Sequence, residues 1–243
     1  MNSQNESILN HPEIQDLFTK LTETLLQESD RGAVLVGASI VDEQLRNLFE
    51  EIVPSEMSRK ERKSLLDYPG PISSLADKIE IAYATRLISR TIYNSLHALR
   101  RIRNSVAHAP QSFQLSAQRE GIQQIYSLGD GVPAYISRSA MLIMMRSKIE
   151  QYMELHGPHG EIPYFNTSQE VFEYLTNDSE ILSLLKEQLP KYELVLGIML
   201  LCGLIISCRE ATAKLVGSNS TLSNIYNASQ QVEPGEITDR LAE

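Results

Sequence analysis

Apolar residues recur along most of this chain at intervals of three and four, the period of an amphipathic α-helix. Leu17, Leu21, Leu25 and Leu26 form one such stripe, in a helix that opens at Asn10 and Pro12 and runs to about Ser29. A second helix runs from Asp30 to Val53 and stops before Pro54. Its stripe is Val34, Gly37, Ile40, Val41, Leu45, Leu48, Phe49 and Ile52. Gly37 and Ala38 within it predict a close approach to another helix. "SRKERKSLL" reads as a short charged helix and "DYPGP" as a loop. A helix spans Ser73 to Leu87, and Ser89 caps the next one, which carries "HALRRIRNSVAHAP". "SAQREGIQQIYS" and "SRSAMLIMMRSKIEQYMEL" each read as one further helix. Alternating, strand-like runs are scarce. The pattern predicts an all-α fold, a helical bundle of about seven to nine helices.

The rhythm breaks at "HGPHGEIPYFNTS", residues 156 to 168, where Gly, Pro and His cluster. Short helices at 168–176 and 179–189 follow, then a long apolar helix from Lys191 to Val216. We therefore expect one helical core made of residues 1–155 and 191–216, an insertion at 156–190, and a polar, mobile tail at 217–243. A length of 243 residues suits one well-buried domain with such an addition.

Charge narrows the function. The formal net charge is −9, which argues against a stand-alone binder of duplex DNA, because such proteins neutralise phosphates with Lys and Arg. A local basic strip remains compatible with RNA. The only cysteines, Cys202 and Cys208, stand six apart on one helix and face about 120° apart, so they read as free thiols. No set of residues has metal-site spacing; His156 and His159 lack a third ligand. No cofactor is expected. The first residues are polar with no apolar leader. The longest apolar run, "LVLGIMLLCGLII", has 13 residues, fewer than the ~18 of a membrane span, so we read it as a core helix in a cytoplasmic protein.

The helix at 97–110 carries the candidate chemistry. At 100° per residue, His97, Arg101, Asn104 and His108 fall on one polar stripe. Leu96, Leu99, Ile102 and Val106 form the apolar side, and Arg103 falls among them. A charge buried there needs a partner, for which Asp42, Glu43 and Glu80 are the candidates. In that case the motif is a structural helix end, with His108 suited to the helix dipole. The same residues can also cut RNA without a metal. Histidine can take the 2′-hydroxyl proton and arginine can stabilise the charge at phosphorus. Arg103, Asn104 and His108 are then catalytic, and His97, Arg100 and Arg101 contact RNA.

Three segments in order, "DRGAVLVGASIVDEQLRNLFEEIV", "LADKIEIAYATRLIS" and "LHALRRIRNSVAHA", resemble the mannitol operon repressor family. The matching residues are Arg31, Gly32, Asp42, Leu45, Lys78, Ile79, Ala82, Tyr83, Leu87, Ile88, Ile102, Arg103, Asn104, Ala107 and His108. The match covers residues 30 to 115. That family in turn resembles the broader HEPN group of helical domains, many of which carry Arg-polar-x-x-x-His. The resemblance to the repressors implies a regulatory interaction protein, most simply a homodimer, acting through a protein partner or weak nucleic-acid contact. The resemblance to HEPN nucleases implies the alternative, a metal-independent endoribonuclease of toxin or defence type. Its site would form where two protomers meet. Arg103 would hold the phosphate, Asn104 would position it, and His108 would be the base or acid.

Overall fold

Serine and threonine hydroxyls open most of the helices, each accepting a backbone N–H that the first turn leaves without a partner. Ser29 takes the Gly32 amide at 3.0 Å, Ser74 that of Asp77 at 3.1 Å, Ser89 that of Ile92 at 3.3 Å and Thr167 that of Glu170 at 3.2 Å. Ser58 and Glu61 form a reciprocal capping box. The computed structural model describes residues 12–108, 113–156 and 163–218, with the side chains at 108 and 216–218 outside that description. Asn10, His159, the side chain of His108 and the tail from 219 therefore lie outside the described residues.

Among the described residues the chain forms nine α-helices and no strand. They are α1 (Pro12–Gln27), α2 (Asp30–Ile52), α3 (Arg59–Leu66), α4 (Leu75–Ala84), α5 (Arg90–His108), α6 (Arg119–Ile125), α7 (Val132–Met153), α8 (Ser168–Asn177) and α9 (Ser179–Ser218). A 3₁₀ turn, Leu115–Gln118, leads into α6. The all-α bundle expected from the helical periodicity is the observed architecture.

The 40-residue α9 is the spine. It packs most extensively against α2, and α1, α6 and α7 cover it further. Leu194, Ile198, Leu201, Cys202 and Ile205 are fully buried there, against Val34, Val41, Leu45, Leu48 and Phe49 on α2. Gly37 sits at the crossing: a Cβ at that position would run into Ile198 Cδ1. By length and composition α9 also meets the requirements of a membrane-crossing helix, a test that the core helix of a folded domain passes too; 56% of its apolar window is buried inside this fold. Cys202 and Cys208 are free, and burial pushes the Cys202 thiol up to about 12.

Three boundaries differ from those expected. The break before residue 191 is absent, because α9 runs through Pro190. Proline removes the amide that would bond the Lys186 carbonyl. That carbonyl accepts from Arg119 Nη2 at 3.3 Å instead, which gives the freed acceptor a partner. The line between the expected insertion and the core thus falls inside one helix. Residues 168–189 close a small satellite cluster of Met144, Val171, Leu175 and Leu185 over the end of α7. Helix α4 ends at Ala84, short of Leu87, because Arg86 turns into the left-handed region (φ 61°) and the Leu87 amide bonds back to Ala82 at 2.9 Å. Helix α7 begins at Val132, earlier than the "SRSAML" pattern shows; Gly131 (φ 79°) makes the turn and a proline follows in the first turn.

Candidate functional site

Helix α5 presents its apolar side inward as its spacing demands. Leu96, Leu99, Ile102 and Val106 are buried. Arg103 is not buried with them: it is exposed, and Asn104 is half-buried. The expected ion pairs to Arg103 are not made. Asp42 holds Lys78 (Nζ–Oδ1 2.8 Å), Glu80 holds His97 (Nε2–Oε1 3.2 Å), and Glu43 makes no ion pair to Arg103 among the described residues. Beside Arg103 the C-terminal half of α5, the start of α4 and one face of α2 leave a gap between them.

That gap is a solvent-open groove of about 420 Å³. Ala38, Ser39 and Asp42 of α2 form one wall, and Ser73, Ser74, Leu75 and Ala76 at the start of α4 form another. Arg100, Arg103 and Asn104 of α5 complete it. Two guanidiniums and the N-terminus of α4, the positive end of its dipole, share this space. The Asp42 carboxylate is already neutralised by Lys78. The groove is therefore net positive in a chain whose total charge is negative.

Lys78 is 3% exposed and also donates to the Ser73 carbonyl at 3.1 Å, so it ties the start of α4 to α2. A buried charge with one partner gives an asymmetric prediction. Lys78→Met should be near neutral. Asp42→Ala should destabilise by about 2–3 kcal/mol, below the range for fully buried pairs because Asp42 keeps a third of its surface in water. Urea unfolding of both variants checks this; equal losses would contradict it.

The rest of the polar stripe lies further round α5. His97 and Arg101 border a smaller cavity of about 250 Å³ with Tyr93 and Asn94. Arg101 donates to Gln124 Oε1 at 2.8 Å. The Tyr93 hydroxyl donates to Glu80, 3.1 Å from Oε2. Tyr83 and Tyr93 stack with centroids 4.5 Å apart, and the Arg90 guanidinium covers both. Burial holds the His97 imidazole below its ordinary pKa, more than the Glu80 carboxylate raises it; Arg100 and Arg101 lower it too.

The candidates thus divide between two places. Arg100, Arg103 and Asn104 share one groove, and His97 and Arg101 share another cavity on the same helix. Arg103 lines the groove, and the side chain of His108 lies outside the described residues. Sequence reasoning missed Lys78 as the partner of Asp42, the serines of the groove wall, and Tyr93. The i,i+3 spacing of Ser39 and Asp42 put them on one face of α2, and was the only signal available. No three His, Cys, Asp or Glu among the described residues stand together as a metal site.

Fold and site together define a helical bundle with a basic groove on its central motif helix. Comparison with family models, with curated proteins and with solved structures found no match.

Proposed function

We propose that this protein acts on single-stranded RNA, holding a phosphate in the α5 groove and cutting the chain without a metal. One observation carries the reading. Arg103 stands exposed beside Arg100 and Asn104 in an open groove, with no carboxylate partner among the described residues. A structural arginine would be locked to an acid; an unpaired guanidinium fork is suited to a phosphate. The HEPN resemblance gives the same residues the same task. It adds His108 as base or acid and a second copy of the chain, which would bring His108 of one protomer to the groove of the other. The acidic net charge disfavours duplex DNA and leaves a short strand that touches few phosphates.

Binding to a fluorescent single-stranded RNA should weaken with salt, with a slope of log K against log[salt] of roughly −1.4 for two phosphates. Arg103→Ala should reduce that slope by about 0.7. Anisotropy titrations between low and physiological salt measure both. A slope unchanged by Arg103→Ala would remove this groove from the RNA path.

A second reading has its own observation. An apolar groove of about 790 Å³ runs between α1 and α7 over α9, lined by Phe18, Ile136, Leu142, Met199 and Leu204. Tyr135 and Leu142 at its edge are more than half exposed. Such a surface fits the protein-partner role that the mannitol repressor resemblance implies. A regulatory module could use both grooves.

A further inference from the structure

The RNA reading requires a proton acceptor, and the side chain of the motif's candidate, His108, lies outside the described residues. The structure holds another histidine on the same helix, in a setting that suits the task. His97 and Arg101 are four residues apart and about 40° apart around α5, so both reach one cavity.

We propose that Glu80, Tyr93 and His97 form a proton-transfer centre, with His97 Nδ1 as the working base and Arg101 as the phosphate anchor beside it. The inference rests on the RNA reading above. Three observations carry it. First, Nε2 of His97 is sealed from solvent and lies 3.2 Å from Glu80 Oε1, at an angle that falls short of a full hydrogen bond. A carboxylate there favours the Nε2–H tautomer and leaves Nδ1 with its lone pair for the cavity. Second, the carboxylate is itself positioned. Tyr93 O–H reaches both of its oxygens, at 3.2 and 3.1 Å, and the Tyr93 ring meets the imidazole edge-on with centroids 4.4 Å apart. Carboxylate, imidazole and cavity thus follow the order of base-orienting group, base and reacting site. Third, Arg101 spends one donor on Gln124 and keeps the rest of its fork for a ligand. Burial favours the neutral imidazole, the form that accepts a proton at neutral pH.

The step balances without any further reagent. Nδ1 takes the proton of a ribose 2′-hydroxyl. The 2′-oxygen bonds to the adjacent phosphorus, the bond from phosphorus to the 5′-oxygen breaks, and that oxygen takes a proton from water. The imidazolium then returns its proton to solvent. The products are a 2′,3′-cyclic phosphate and a 5′-hydroxyl end. The groups that set the base are Glu80 on α4, which raises its affinity for a proton, and Arg100 and Arg101 on α5, which lower it.

The test is metal-free cleavage of a short single-stranded RNA as a function of pH, by wild type, His97→Ala, Glu80→Gln and Tyr93→Phe. Circular dichroism and RNA anisotropy are measured on each. His97→Ala should lose at least 100-fold in rate while it still binds RNA and folds. In wild type the rate should rise with pH through a value below the usual histidine range. Glu80→Gln removes the charge that raises this value, so its rising limb should move to lower pH, with a slower plateau. A merely structural ion pair would leave the limb in place. If His97→Ala fails to fold, the Glu80→Gln limb decides. Wild-type cleavage that His97→Ala leaves intact overturns this centre but leaves the RNA reading standing. RNA that wild type leaves intact at every pH overturns both.

Discussion

Arg103→Ala is expected to slow metal-free RNA cleavage on the order of 10²-fold, with the fold unchanged. Arg103 grips a phosphate that sets the position of the strand, and a strand misplaced by about 1 Å costs roughly that much. The fold should be indifferent because Arg103 is exposed and makes no ion pair among the described residues. Removal of an exposed side chain with no partner usually shifts stability by less than about 0.5 kcal/mol. Arg103→Lys restores the charge but not the fork, and should recover only part of the rate. The check is single-turnover cleavage alongside thermal unfolding. A variant that unfolds easily yet cleaves at the wild-type rate would reverse the assignment and make Arg103 structural.

The second large effect lies where α2 crosses α9. Gly37→Leu should destabilise by about 3 kcal/mol, because extra methylenes in a filled core force side chains off their rotamers and shift backbone. Ile198 is fully buried against this position and takes the collision. Ile198→Ala alone should cost about 2–5 kcal/mol as a cavity. The double variant should cost clearly less than the sum, since the new leucine enters the vacated space. Urea unfolding of the four proteins gives the coupling. Strict additivity would mean that the two helices do not meet there.

Much of this packing was legible in the sequence. The stripe from Val34 to Ile52 specified the buried face of α2, and Gly37 with Ala38 marked the close crossing. Leu96, Leu99, Ile102 and Val106 specified the inward face of α5, and all four are buried. Arg103 was not legible in this way. A helical wheel says which way a side chain points, not whether anything stands opposite. The sequence pattern carries α4 on to Leu87, but Arg86 ends that helix early. The partners of Asp42 and Glu80 were equally hidden, because Lys78 and His97 reach them across helix–helix contacts that no local spacing encodes. Pro190 misled for the opposite reason. Its local cost is real, yet a distant side chain, Arg119, takes the carbonyl it frees, and burial along both halves of α9 keeps the helix in line.

The site was legible as a list of residues rather than as an arrangement. His97, Arg100, Arg101, Arg103 and Asn104 all stood out from their spacing on one helix. Their division between a groove and a cavity became visible only with α2 and α4 in place. That division matters chemically. It separates a phosphate grip at Arg100 and Arg103 from a base and anchor at His97 and Arg101, on two sides of a single helix.

The most direct test of the account is the chemistry of the cut ends. Purified wild-type protein is incubated with a single-stranded RNA in EDTA, and the fragments are analysed by mass spectrometry. The account predicts fragments that end in a 2′,3′-cyclic phosphate and begin with a 5′-hydroxyl. It also predicts no cleavage of the same sequence with 2′-deoxyribose. Intact RNA, or fragments that carry a 5′-phosphate, would contradict it.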